Sequence, residues 1–277
     1  MEIFSRRNQF RGPLRGVILD WSGTAVDFGG FGHIPAFVDS FRESWVEITA
    51  QEVRAHMGLS YADHLLALLQ TESVSAKWLD VYGAPPSEFD LDRLYRAIER
   101  LMPSRVAEHA EPVPGLLEAV SEFRGRGLRI GATSSHSYPA MEALAEAARQ
   151  NGYAPDTMVC SSDVPAGRPL PWMCYQNAIN LETYPLESLV KIGDTVPDIQ
   201  EGLNAGMWTV GVLKTSADLG MTEEEIARAD QIELGRELDR IEKGFLNAGA
   251  HFVVGSVRDC PEILDRINQR LKRGEGP

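Results

Sequence analysis

The chain has 277 residues and a formal net charge of −13, enough length to bury one large domain or a core with a smaller insert. Hydrophobic residues make up 43% and charged residues 24%, as in ordinary globular proteins. No apolar run approaches the roughly 18 residues of a membrane span, and so acidic a chain lacks the basic face that drives nucleic-acid binding. A small anionic substrate stays compatible, because one local pocket can be positive inside an acidic protein.

The opening stretch MEIFSRRNQFRGPLRG carries arginines without an apolar segment, which predicts a solvated extension rather than a signal peptide. The run LRGVILDW (Leu14 to Trp21) reads as a buried strand ending at Asp20, followed by SGTAVD. Helical periodicity follows. IPAFVDSFRESWVE, AQEVRAHMG, ADHLLALLQ and LDRLYRAIERLM all place apolar residues at three- and four-residue spacing. From Leu116 helices and strands alternate. GLRIGATSS (Gly127 to Ser135), TMVCSS, SLVKIGD, WTVGVL and AHFVVGS are the strands, with GLLEAVSEFRGRG, SYPAMEALAEAARQNG, PWMCYQNAINL and DIQEGLNAG as helices. That alternation predicts a doubly wound α/β fold, a parallel sheet covered on both faces. Residues 1–28 and 111–277 then form the core, and residues 29–110 form a helical cap inserted after the first strand. The hinges are the glycine- and proline-rich stretches FGGFGH and EHAEPVPG. Cys160, Cys174 and Cys260 are widely spaced, form no metal pattern and cannot all pair, which points to a reducing, cytoplasmic setting.

Ligands of an open parallel sheet bind at the carboxyl ends of its strands, and several strands here end in polar residues. Strand one ends at Asp20, with Ser22, Gly23 and Thr24 behind it. Strand two ends at Thr133, Ser134 and Ser135, and strand four runs into GDTVPD with Asp194 and Asp198. The segment DVPAGRPLPW after strand three brings Arg168. These are the parts of a phosphoryl-transfer site. A carboxylate attacks phosphorus and holds the phosphoryl group covalently, further carboxylates bind Mg²⁺, and hydroxyls with an arginine hold the non-bridging oxygens. Each residue alone is more often a cap, a turn or a surface ion pair; their concurrence at strand ends favours the site.

These residues resemble the haloacid dehalogenase superfamily, with DWSGT as its first motif, Ser134 its second, Arg168 its third and GDTVPD its fourth. Within it the chain is similar to the phosphonatases (phosphonoacetaldehyde hydrolases), through DVPAGRPLPWMCYQNA, KIGDTVPDIQEGLNAGMWTVGV and NAGAHF. The resemblance implies that Asp20 is the nucleophile, that Asp194 and the Ser22 carbonyl bind Mg²⁺, and that Asp198 supports that site. Thr24, Ser134, Ser135 and Arg168 would hold the phosphoryl group, and family members dimerise through the cap, which implies a homodimer. Phosphatases of the superfamily place a second aspartate two residues after the nucleophile. Ser22 has no titration near neutrality and fills that acid–base role poorly, which weakens the ordinary phosphomonoesterase reading.

The octet MGLSYADH (Met57 to His64) fits the phosphonatase pattern except at Tyr61, where those enzymes carry a lysine that forms an imine with the substrate aldehyde. A phenol cannot form that imine. Lys77 is the one other lysine of the insert and reads as an exposed helix residue, while Lys191 precedes the fourth motif with nothing to orient it inward. His136 stands where family members carry an aromatic hydroxyl, so Met57, Tyr61, His64 and His136 are candidate substrate contacts, acids or bases. Three readings follow. The first is a Mg²⁺-dependent hydrolase of phosphonoacetaldehyde or a related phosphonate through an aspartyl-phosphate, without an imine. The second is a phosphatase of another small phosphorylated metabolite, and the third is a non-catalytic binding protein.

Overall fold

The five residues of β1 (Gly16–Asp20) are all buried, because the strand is central and covered on both faces. Side chains alternate across it. Val17 and Leu19 enter the apolar cluster that holds Phe123, Leu144 and Leu264, whereas Ile18 joins Cys174 and Ala178 on the other face. The computed structural model describes residues 10–277, so residues 1–9 of the expected N-terminal extension lie outside the described residues.

Six helices follow before the chain returns to the sheet, the first five being α1 (Ile34–Arg42), α2 (Ala50–Arg54), α3 (Tyr61–Gln70), α4 (Glu72–Tyr82) and α5 (Glu88–Ala107). The first is shorter than the apolar spacing predicts. Trp45 takes a left-handed conformation and the Val46 amide returns to the Phe41 carbonyl at 3.0 Å, a Schellman closure that ends a helix while apolar residues continue. Capping boxes start α2 at Thr49 with Glu52 and α5 at Ser87 with Asp90. Ser60 caps α3, so Tyr61 is its first residue.

The remainder is α6 (Leu116–Gly125), β2 (Arg129–Ser134), α7 (Tyr138–Gln150), β3 (Thr157–Cys160), α8 (Trp172–Asn180), β4 (Leu189–Gly193), α9 (Val196–Asn204), β5 (Trp208–Val212), α10 (Glu223–Arg228), α11 (Gln231–Asn247), β6 (Phe252–Val254) and α12 (Cys260–Lys272). The six strands form one parallel sheet in the order β3-β2-β1-β4-β5-β6. This is the doubly wound fold expected from the alternation; α4, α10, α11 and α12 are added to the helices read from the sequence. Chain order reverses between β1 and β4, which makes their carboxyl ends the topological switch point. No helix among the described residues is long and apolar enough to cross a membrane.

Candidate active site

Asp20 closes β1 in register with Thr133 of β2, and Asp194 follows β4 on the other side. The intervening loop approaches so closely that a Cβ on Gly23, whose φ is +82°, would fall 2.2 Å from Asp194 Oδ2. Only glycine meets both demands. Thr24 Oγ1 donates to Asp194 Oδ1 at 2.9 Å, and the Ala217 amide donates to Oδ2 at 2.9 Å. Asp198 stands in the first turn of α9, its Oδ2 accepting from Thr195 Oγ1 at 2.6 Å. One turn on, Glu201 projects from the same face.

Two buried cations sit among these acids. Arg168 donates to Asp20 and to Thr133 Oγ1 (2.8 Å), and its Nε lies 3.0 Å from Glu201 and 3.1 Å from Asp198. Lys191 Nζ reaches Asp198 at 2.8 Å and Thr133 Oγ1 at 2.7 Å. Burial opposes charge on Asp198, but Arg168 and Lys191 outweigh it and hold its pKa below the usual carboxylate value. For Asp194 burial, then Asp20 and Asp198, all push upward, well above that value.

Four buried carboxylates therefore face two buried cations, an excess of two negative charges when all are ionised. Asp20, Asp194 and Asp198 each bring a carboxylate oxygen within 4.8 Å of the others. An all-oxygen donor set with that excess fits a hard divalent cation, which would offset the burial and the like charges that raise Asp194.

A small cavity of about 10 Å³ lies beside this array. Asp20, Ser22, Ser134, Ser135 and Arg168 line it from the core, and Met57 and Gly58 line it from the insert. Gly58 presses on the core: with φ +89°, a Cβ there would fall 2.5 Å from Thr195 Oγ1. Thr195, Ala217 and His33, the last residue of the FGGFGH hinge, complete the wall.

Behind that wall lies a neutral, aromatic group. Tyr61 Oη and His136 Nδ1 are 2.6 Å apart, His136 Nε2 lies 3.5 Å from Ser22 Oγ, and His33 stacks on His136 at 4.3 Å. Burial, then the Arg168 charge, pushes His136 down to about 3, and burial carries the Tyr61 phenol well above its ordinary range. Neither ring is charged near neutrality.

The structure thus brings Asp20, Ser22, Met57, Ser134, Ser135 and Arg168 to one cavity, with Asp194 and Asp198 beside Asp20 and Thr24 as a support of Asp194. His64 is placed elsewhere, inside the insert, stacked on Phe37 at 4.3 Å with Nε2 donating to the Val53 carbonyl at 2.9 Å. Four residues of the site escaped the sequence reading. Lys191 and Glu201 had a signal, since DIQEG repeats an acid at three-residue spacing and alternation along β4 turns Lys191 towards it. Thr133 was read as part of a strand end, without a role. His33 had no periodic signal at all, because its position depends on the hinge.

The haloacid dehalogenase-like hydrolase family model matches residues 14–206. A phosphonoacetaldehyde hydrolase-like protein of Syntrophobacter fumaroxidans is 55% identical over the full length of both chains, and a phosphonoacetaldehyde hydrolase of the same organism is 51% identical, again over both full lengths. The crystal structure of a phosphonoacetaldehyde hydrolase-like protein from Oleispira antarctica superposes with a TM-score of 0.95 at 33% identity, covering all of both chains. The chain belongs to the haloacid dehalogenase-like hydrolases.

Proposed function

We propose that this hydrolase cleaves the carbon–phosphorus bond of phosphonoacetaldehyde, or of a close carbonyl phosphonate, through an aspartyl-phosphate on Asp20. The observation that carries the reading is a full phosphoryl-holding array set beside Ser22, a residue unable to protonate an alcohol leaving group. The names of the relatives at 51% and 55% identity support it.

Asp20 attacks phosphorus while Arg168 and Ser134 hold the non-bridging oxygens. Arg168 also neutralises the nucleophile's environment, so an anion can approach an anion. Held by Asp20, Asp194 and the Ser22 carbonyl, with Asp198 in support, Mg²⁺ would supply the further charge screening that this chemistry needs. No lysine forms an imine in this reading. Lys191 is committed to Asp198 and Thr133, and Lys77 to Glu52 at 2.8 Å, part-exposed on the insert. The carbon leaving group therefore departs as an enolate. Residues 29–110 act as the cap, family-like dimerisation runs through it, and the setting is cytoplasmic.

Tyr61 in place of lysine favours a second reading, phosphate-ester hydrolysis with a new cap specificity. Phosphate release across a panel of phosphonates and phosphate esters, with and without Mg²⁺, separates the two. Mg²⁺-dependent release from phosphonoacetaldehyde is expected. Release from esters alone rules out the first reading.

A further inference from the structure

We infer that His33 is the group of the cavity that binds the substrate's carbonyl oxygen and stabilises the enolate formed when the carbon–phosphorus bond breaks. The inference rests on the proposed carbonyl phosphonate substrate. Of the four aromatic candidates, three have hydrogen-bond partners of their own, and His64 stands away from the cavity, inside the insert. Tyr61 and His136 bond to each other, and His64 bonds to Val53. His33 has none. Both of its ring nitrogens are buried without a hydrogen-bond partner, and it is the histidine that lines the cavity with Asp20 and Arg168. Orphaned buried nitrogens are rare in proteins, and here they belong to a side chain only 4% exposed that faces a site built for an anion.

The ring is also held in place, as a donor to a developing charge must be. Asp27 accepts the amides of Phe31 (2.8 Å) and Gly32 (3.0 Å), which fixes the hinge immediately before His33. On the far side His136, anchored by Tyr61, stacks against its face. Tyr61 and His136 are thus positioning residues, and a neutral imidazole at position 33 supplies one N–H.

The bonds balance as follows. A carboxylate oxygen of Asp20 forms a bond to phosphorus as the carbon–phosphorus bond breaks, and that electron pair moves through carbon to the carbonyl oxygen. The enolate oxygen accepts the His33 N–H hydrogen bond. Its carbon then takes a proton from water, and the hydroxide equivalent hydrolyses the aspartyl-phosphate to phosphate and free Asp20.

The test compares His33→Phe, which keeps the ring and the stacking, with His33→Gln, which restores a side-chain N–H. Each is assayed with Mg²⁺ on phosphonoacetaldehyde and on acetyl phosphate, whose acetate leaves without an electron sink. Losing one donor to a developing oxyanion predicts a fall in kcat of about 10²–10³-fold on phosphonoacetaldehyde. The loss on acetyl phosphate should be at least about tenfold smaller, and His33→Gln should recover part of the phosphonate rate. An unchanged phosphonate rate in His33→Phe overturns the inference. So do equal losses on both substrates, which mark a purely structural role, or no recovery in His33→Gln. Wild-type protein that turns over acetyl phosphate but not phosphonoacetaldehyde overturns the substrate reading and this inference together.

Discussion

On the core side of the cavity Arg168 and Lys191 sit among Asp20, Asp194, Asp198 and Glu201, and nearly every contact is between full charges. The insert and its hinge line the cavity with Met57, Gly58 and His33, none of them an ion, and His136 with Tyr61 stands behind His33. Under the proposed function the difference mirrors the two halves of a phosphonate. The phosphoryl end is a dianion, whose recognition needs charge, whereas the carbon end is neutral until its bond breaks. A permanent cation there would attract the wrong end of the substrate, while a neutral donor discriminates.

Removing the proposed nucleophile breaks this contrast most severely. Asp20→Asn leaves an amide that cannot take the phosphoryl group, so phosphate release should fall by at least about 10⁴-fold. Mass spectrometry of the quenched reaction should lose the phosphoryl adduct at the same time. Retained activity would place the nucleophile elsewhere.

Lys191→Met asks whether the core side depends on charge or on shape. The substitution nearly preserves volume but leaves Asp198 and Glu201 short of a buried partner, which should cost about 3–5 kcal/mol in chemical denaturation. Adding Asp198→Asn should return part of that loss. A single variant as stable as the wild type would mean that Arg168 alone balances the cluster.

The neutral side has its own signature, in acid. Burial, followed by His33, pushes His64 down to about 3 in the fold, against about 6.5 in the unfolded chain. The unfolded state therefore binds the proton first, so this contribution is complete above about pH 6.5 and is lost as pH falls towards 3. Because Asp194 is raised, it acts with the opposite sign, so the clean observable is a difference. The stability of wild type minus that of His64→Phe should shrink steadily between pH 6.5 and 4.5, by an order of 1–2 kcal/mol. A flat difference would show that the imidazole is hydrated and the insert less sealed than its packing indicates.

Much of this division could be read from the chain before any coordinates. Asp20, Ser134 and Asp194 lie at strand ends, and strand ends follow from short apolar runs that a sequence displays directly. The fold followed for the same reason, although α1 stopped early because left-handed closure at Trp45 leaves no mark on apolar spacing. The insert side was less legible. His64 sits in a family-like motif, yet the residue that lines the cavity is His33, placed by Asp27 binding the Phe31 and Gly32 amides. Contacts made by a loop to its own backbone have no period, and orphaned nitrogens become visible only once every neighbour is known.

The smallest expected effect falls on Lys77, and it bears directly on Tyr61. Lys77 is the only lysine between residues 29 and 110, so an imine formed from the insert must use it. Its Nζ contacts both oxygens of Glu52 at 2.8 Å and its side chain is 38% exposed. A half-exposed pair of this kind contributes only about 0–1 kcal/mol. Lys77→Ala should accordingly change phosphate release by less than about twofold and barely move the denaturation midpoint. Borohydride added to wild-type protein with phosphonoacetaldehyde should leave it active and without a covalent adduct, since the buried amine beside the site, Lys191, is held by Asp198 and Thr133. An adduct on any lysine would put an electron sink back into the site. The neutral plan of the insert side would then be wrong, whatever the rates of the other variants.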